Sequence, residues 1–400
     1  MKALIFCIVL VYMVVAMFRS IGIYELFSLQ PAVVLLAIAG LCCLFAFNLQ
    51  GIKRHQTLTL LVFFILFIYS ATVSRFPATS LVLSFFMFAS AIIFVGLEFA
   101  DSDFAQNTKS ANKYAITDSA KIAFIICTSI HALTMVVFYL FQPERTTGLM
   151  DDFSQASMLL LLAYAFAYPL FKDKTFFSAF SLIYFIACFT AFSRTVNLLL
   201  IVLFAALFLL ELRRKNLKNV AKLAALAVIA LGIVYMYPGF VGETTVDRGG
   251  LSHLSTLNSR TIYWQTAWQA IQQKPLLGHG LGLFSFTGIK EAQPFNIIYF
   301  VHNDYLQIWH DLGIFWLVLF VSAIAYLLFR YSPFKLSNGT GYPIAINSEN
   351  SRRLLAWFML LSIALYMSIN FLIFKIEFQL AIAILLVDLL RTPQNKSGSV

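Results

Sequence analysis

At 400 residues the chain is long enough for two or three soluble domains, yet 60% of its residues are hydrophobic, 12% are charged and its mean hydropathy is +0.84. Those values exclude an ordinary water-soluble fold and specify an all-α polytopic membrane protein. The net charge of +10 does not select nucleic acid as a partner, because the cations are spread over loops and form no single basic face.

Apolar runs of roughly 15 to 22 residues, bounded by charges, Pro or Gly, recur along the chain. As helices they are long enough to cross a hydrocarbon core of about 30 Å. A β-barrel would instead show alternating segments of about 10 residues. The runs predict twelve transmembrane helices, near residues 3–18, 32–47, 58–73, 81–97, 122–141, 157–171, 176–192, 198–212, 223–237, 313–329, 354–373 and 376–390. The first run follows Lys2 like a signal sequence, but Met17-Phe18-Arg19-Ser20 offers no small-residue cleavage site, so it is read as a span. The five cysteines (Cys7, Cys42, Cys43, Cys127, Cys188) sit in these runs without metal or disulfide spacing and are expected to be small buried hydrophobes.

Placing both termini in the cytoplasm leaves only nine of the 28 Lys and Arg residues outside: Arg19, Arg75, Arg145, Arg194, Arg248, Arg260, Lys274, Lys290 and Lys375. The positive-inside rule selects this orientation. Arg213-Arg214-Lys215, with Lys218 and Lys222, then reads as a topology anchor able to touch anionic membrane lipid. Residues 101–121 and 332–353 read as flexible cytoplasmic connectors. The predicted organisation is a membrane domain over 1–237, one large outer loop over 238–312, a second membrane segment over 313–391 and a tail over 392–400.

Within the outer loop, Ser259 is positioned to cap a helix from Arg260 to about Gln273, which Pro275 ends. Tyr263, Trp264, Ala267, Trp268 and Ile271 fall on one side of it, predicting a helix that lies along the membrane surface. Gly278, Gly280 and Gly282 mark a sharp turn, and Asn303 or Asp304 caps a second helix. His302 stands just before that helix, at its positive dipole end.

Arg194, in Ser193-Arg194-Thr195, is a cation at an outer helix end, where the charge rule disfavours one. It is either an interfacial snorkel or a diphosphate ligand, since guanidinium presents a permanently charged fork that matches phosphate oxygens. Arg260 carries the same two readings, and two arginines with two helix amino termini would make an anion cradle. His302 is either an interfacial hydrogen-bonding group or a base that takes a proton from an attacking hydroxyl. His253, His279 and His310 are lesser candidates, and His131, inside a span, is expected to be hydrogen-bonded within the bundle. Asp151-Asp152 is the one adjacent acidic pair outside, and the single Asp-x-Asp triplet, Asp101-Ser102-Asp103, is placed in the cytoplasm, so no metal and no cofactor are expected. Phosphate-loop and Gly-x-Ser-x-Gly signatures are absent, which excludes ATP hydrolysis as an expectation.

Together these pieces resemble the bacterial O-antigen ligase and O-antigen polymerase superfamily. The matching segments are Ser193-Arg194-Thr195; Ser259-Arg260 with Trp264, Ala267 and Pro275-Leu276-Leu277-Gly278-His279-Gly280; and His302-Asn303-Asp304-Tyr305-Leu306-Gln307 with Leu312-Gly313-Ile314. Arg145-Thr146-Thr147-Gly148 through Asp152-Phe153-Ser154-Gln155-Ala156 is similar to the family's outer Arg-Gly segment, with Ser154 or Gln155 where the family usually has an Asn. The resemblance implies a metal-independent, inverting membrane glycosyltransferase of the bacterial inner membrane, its site facing the periplasm and its donor an undecaprenyl-diphosphate-linked glycan. Arg194 and Arg260 would hold the diphosphate and His302 the acceptor proton, with Arg145, Asn303, Trp264 and His279 as further donor or acceptor contacts.

Members differ in acceptor: a lipid A core for ligases, a second lipid-linked unit for polymerases, a protein Ser or Thr for a third branch. Chain length and one dominant outer loop favour the ligase, and the short stretch after the last span disfavours the protein-directed branch. A flippase for the same lipid is the alternative from another class, but its site is expected near the midplane with buried charges. A scaffold that uses the loop only for docking is the third.

Overall fold

The computed structural model describes residues 6–7, 9–11, 13, 54–77, 80, 84, 87, 91–101, 115–143, 146–150, 152–240, 260–284, 300–333, 348–372 and 375–390. The predicted spans 3–18, 32–47 and 81–97 lie wholly or partly outside these residues, as do Arg145, Ser259 and the predicted tail. Among the described residues the regular structure is helical. In chain order it comprises α1 (Arg54–Val73), α2 (Ala115–Phe141), α3 (Phe153–Phe171), α4 (Phe177–Thr190), α5 (Arg194–Arg213), α6 (Leu217–Phe240), α7 (Arg260–Gln273), α8 (Asp304–Leu312), α9 (Ile314–Arg330), α10 (Ser348–Met367) and α11 (Ile376–Leu390). Helices α1, α2, α3, α5 and α6 are long and apolar enough to cross a membrane, and α4, α9 and α11 contain shorter apolar stretches.

The centre of the bundle is α3. It is predominantly apolar and is buried on every face from Ser154 to Tyr168. Helices α2, α4, α5, α10 and α11 all pack against it. Tyr164 fills the contact with α4, its ring 5.1 Å from Phe185 and its hydroxyl 2.9 Å from Ser181 Oγ. Cys127 and Cys188 are buried as expected, whereas Cys7 is exposed.

Six of the predicted spans start too late, whereas those at 176–192, 313–329 and 376–390 start within one residue of the helices found. A hydropathy boundary falls at a charge, but the helix continues through charges that find partners. Helix α2 begins at Ala115, not 122, and α10 at Ser348, not 354. Lys121, fully buried, pairs with Asp388 of α11 at 2.6 Å. Arg352 forks onto Asp118, and the Arg353 guanidinium lies 5.0 Å from the Tyr331 ring centroid. Arg214 bonds Glu211 at 2.8 Å and Ser351 Oγ at 2.6 Å. Residues 115–121 and 348–353 are therefore ordered helix and not the flexible connectors expected. These contacts, with Lys172 bonded to Glu211 at 3.4 Å, gather Lys121, Lys172, Arg214 and Arg352 at one end of the bundle, opposite the end where Ser193 and the start of α3 meet.

Lys121 gives a direct test of this account. Lys121→Met should lower the thermal stability of the detergent-solubilised protein by about 3–5 kcal/mol, because Asp388 is left buried and uncompensated. Pairing it with Asp388→Leu should restore most of that loss, which a melting curve for each variant measures.

Candidate active site

At the other end of the bundle, short connections between apolar helices bring distant residues together. The first is the α4–α5 junction. Phe192 takes a left-handed conformation with φ 47°, which turns the chain sharply enough for Ser193 to cap α5. Ser193 Oγ accepts from Val196 N at 3.4 Å and donates to Ser154 Oγ at 2.9 Å. Arg194 follows immediately, exposed in the first turn of α5. Thr146 is fastened to the same corner, its N–H donating to Thr190 O at 3.2 Å and its hydroxyl to Thr190 Oγ1 at 3.2 Å. His131 accepts from Leu149 N at 3.1 Å, the bundle hydrogen bond anticipated for it, and so holds the turn at Gly148.

The second element is the loop unit α7–α8. Helix α7 runs from Arg260 to Gln273 as predicted, and Asn303 caps α8, its Oδ1 accepting from Tyr305 N and Leu306 N. The glycine turn between the helices is a clamp. Gly278 has φ 73°, and a Cβ there would lie 2.5 Å from the Asp311 backbone; one on Gly313 (φ 86°) would lie 2.0 Å from Leu276 O. His279 N and Gly280 N donate to His310 O and Asp311 O at 2.9 and 2.8 Å. Asp311 is consumed by this clamp, bonding His310, Gln307 and Gly282 N.

One expectation about α7 is corrected. Its aromatic and apolar residues do not share one face laid on a membrane. Ala267, Ala270 and Ile271 are buried, Tyr263 and Trp264 pack with Phe284, Val301 and Leu306, and Trp268 and Ile262 remain exposed. The period of the sequence is right, but α8 takes the face that was assigned to lipid.

His302 lies where the two elements meet the bundle. It is left-handed, φ 55°, a conformation that costs a non-glycine residue about 1–2 kcal/mol. Its ring stacks on Tyr263 at 5.7 Å and meets Phe371 edge-on at 5.0 Å. Arg260 sits one turn before Tyr263 on α7, and its charge acts on the imidazole. Burial holds the His302 pKa below the ordinary histidine value; Arg260 and, less, Lys375 push the same way, while Asp152 opposes them.

The connection after α10 completes the site, and it was not anticipated. Helix α10 stops at Met367, six residues short of the predicted span, and residues 368–372 fold against the other two elements. Asn303 Nδ2 donates to Ser368 O at 2.9 Å, and Asp304 Oδ2 accepts from Leu372 N at 2.7 Å. From α3, Gln155 Nε2 donates to Phe371 O at 3.1 Å, and Asn370 Nδ2 donates to Ser154 Oγ at 2.9 Å. Ser154 Oγ thus accepts from both Ser193 and Asn370, and joins the Arg194 junction to the residue that faces His302. Lys375 lies 5.5 Å from the Phe371 centroid, so one ring carries His302 and a cation.

Of the residues singled out from sequence, the structure brings Arg260, His302, Asn303 and the Arg194 junction into one neighbourhood. Trp264 packs beside Val301, and its buried Nε1 has no hydrogen-bond partner among the described residues. His279 is not part of the group. Its Nε2 contacts Ala270 O at 2.8 Å and its ring stacks on His310 at 4.8 Å, inside the clamp. Asp152, Ser154, Asn370, Phe371 and Lys375 were missed as site residues. Ser154 and Asp152 stood within the Arg145–Ala156 segment, where the match was visible; Asn370 carried no signal, being one polar residue in an apolar run. Among the described residues, no group of three His, Cys, Asp or Glu side chains is arranged to hold a metal ion.

Residues 179–321, which contain Arg194, Arg260 and His302, match the family model described as O-antigen ligase. No curated protein matches the chain.

Proposed function

We propose that this multi-pass membrane protein, whose residues 179–321 match the O-antigen ligase family model, is an O-antigen ligase. It transfers glycan from undecaprenyl diphosphate to a sugar hydroxyl of the lipid A core, on the periplasmic face of the inner membrane. The observation that carries this reading is the hydrogen-bonded run Ser193–Ser154–Asn370, which ties the Arg194 helix end to the residue facing His302, while Arg260 acts on the same imidazole.

In this reaction the acceptor oxygen attacks the anomeric carbon of the first sugar as its bond to the diphosphate breaks. His302 takes the hydroxyl proton, and the negative charge that grows on the leaving diphosphate meets the guanidinium groups of Arg194 and Arg260. Lys375 adds a third cation beside His302. Displacement in one step inverts the anomeric centre, and no step requires a metal. The stacked ring of Tyr263 and the edge-on ring of Phe371 leave the imidazole little freedom, so the base is positioned before the acceptor arrives.

The lowered His302 pKa fixes the sign of the pH dependence. Its neutral, proton-accepting form persists below the ordinary value of about 6.5. The acid limb of kcat/KM should therefore fall below that pH, and a limb at or above it would contradict the assignment.

Purified protein in detergent, given undecaprenyl-diphosphate-linked glycan and lipid A core, tests the function itself. Transfer to the core supports the ligase. Transfer only to a second lipid-linked unit makes the protein a polymerase, and transfer to neither, with lipid movement in vesicles, makes it a flippase.

A further inference from the structure

His302 Nδ1 and Asn370 Oδ1 are both enclosed, and neither has a hydrogen-bond partner among the described residues. Asn370 immediately precedes Phe371, whose ring meets the imidazole edge-on at 5.0 Å, and the amide acts on the His302 charge in favour of the protonated ring. The amide cannot turn freely, because Nδ2 is committed to Ser154 Oγ at 2.9 Å, which leaves the oxygen for the ring. Ser154 is itself held, accepting from Ser193 Oγ at 2.9 Å. The ring is fixed from both sides, by Tyr263 and by Phe371, the residue after Asn370.

We propose that Asn370 is a positioning residue for the transfer reaction: its Oδ1 accepts Nδ1–H of His302, holds the neutral ring in that tautomer and leaves Nε2 as the proton-accepting nitrogen. The inference rests on the reading of His302 as the base. A ring with both nitrogens available would populate either tautomer, and only the one with a bare nitrogen toward the acceptor works as a base. An amide does this without adding negative charge to a site that must admit a diphosphate, whereas a carboxylate would repel it. The charged groups facing the ring are Arg260 from α7, Asp152 from the start of α3 and Lys375 from the connection before α11. Tyr263 from α7 is the other titratable group against it.

The test reads the tautomer and the kinetics separately on the full-length protein in detergent. Imidazole 15N shifts, with His302 assigned by its loss in His302→Gln, should show a protonated Nδ1 and a bare Nε2 at neutral pH. Asn370→Leu should erase that preference and lower kcat by about 10²-fold, the lower end of what general-base catalysis contributes, with KM for the lipid donor nearly unchanged. Asn370→Asp keeps the acceptor, so it should keep the tautomer and move the acid limb to higher pH by adding a negative charge. Ser154→Ala, which frees the amide to turn, should weaken the preference and serves if Asn370→Leu does not fold. A wild-type His302 protonated at Nε2, or an Asn370→Asp variant that loses the Nδ1 proton, overturns the proposal. Because the shifts need no turnover, a failed transfer assay with the expected tautomer sinks the glycosyltransferase reading and leaves the pairing intact.

Discussion

His302→Gln is expected to lower kcat by about 10²- to 10⁴-fold, the range a positioned general base contributes. Glutamine keeps the size and a hydrogen-bonding group but cannot take a proton, so donor binding should survive while turnover is lost. The geometry makes this sharper than an ordinary histidine deletion. A half-buried ring, stacked on one side and met edge-on at the other, in a left-handed backbone position, is held by more contacts than a surface histidine needs. Single-turnover transfer of a labelled glycan, with donor binding measured independently, separates the two effects. Wild-type turnover in His302→Gln would remove His302 from the reaction.

Arg260→Lys and Arg194→Lys are each expected to cost about 10²–10³-fold in kcat, roughly 2.7–4 kcal/mol, as the loss of one donor set on a developing anion does. Lysine preserves the charge but not the planar fork, so the exchange is not conservative at a phosphate. The two positions are separable through His302. Arg260 lowers the pKa of the imidazole, so Arg260→Gln should raise it toward the ordinary value and carry the acid limb of the pH profile upward. Arg194 reaches the site through the Ser193–Ser154–Asn370 run, so Arg194→Gln should lower the rate and move the limb less than Arg260→Gln does. A pH series on both glutamine variants checks this. An acid limb that moves equally in both would mean that the two arginines do not occupy distinct places around the leaving group. The double variant should cost less than the product of the single effects, because both act on one charge.

The elements were legible because their signals are local. A run of apolar residues as long as a bilayer is thick, a Pro two residues beyond Gln273 and an Asn ahead of Asp304 each act on the nearest turn of backbone, and α7, α8 and most spans appeared near where they were read. The candidate groups Arg194, Arg260 and His302 were legible for a different reason: charge and imidazole at an apolar boundary are costly unless something uses them.

What the chain order could not convey was partnership. Whether Lys121 ends a helix or is buried within one depends on Asp388, 267 residues away, and hydropathy accordingly started α2 too late, as it did α10. The face of α7 that reads as membrane-seeking is covered by α8, since periodicity reports that a face is apolar and not what covers it. Asn370 is the clearest case. Its sequence is an apolar run, and its place beside His302 arises because Asn303, Asp304 and Gln155, from two other segments, bond the backbone of residues 368–372 and fold that connection into the site. The sequence by itself determined a helical membrane chain and the chemical types gathered at one end. Only the tertiary structure decided which side chains face each other, because buried hydrogen bonds between residues distant in the chain are satisfied in three dimensions and leave no periodic trace.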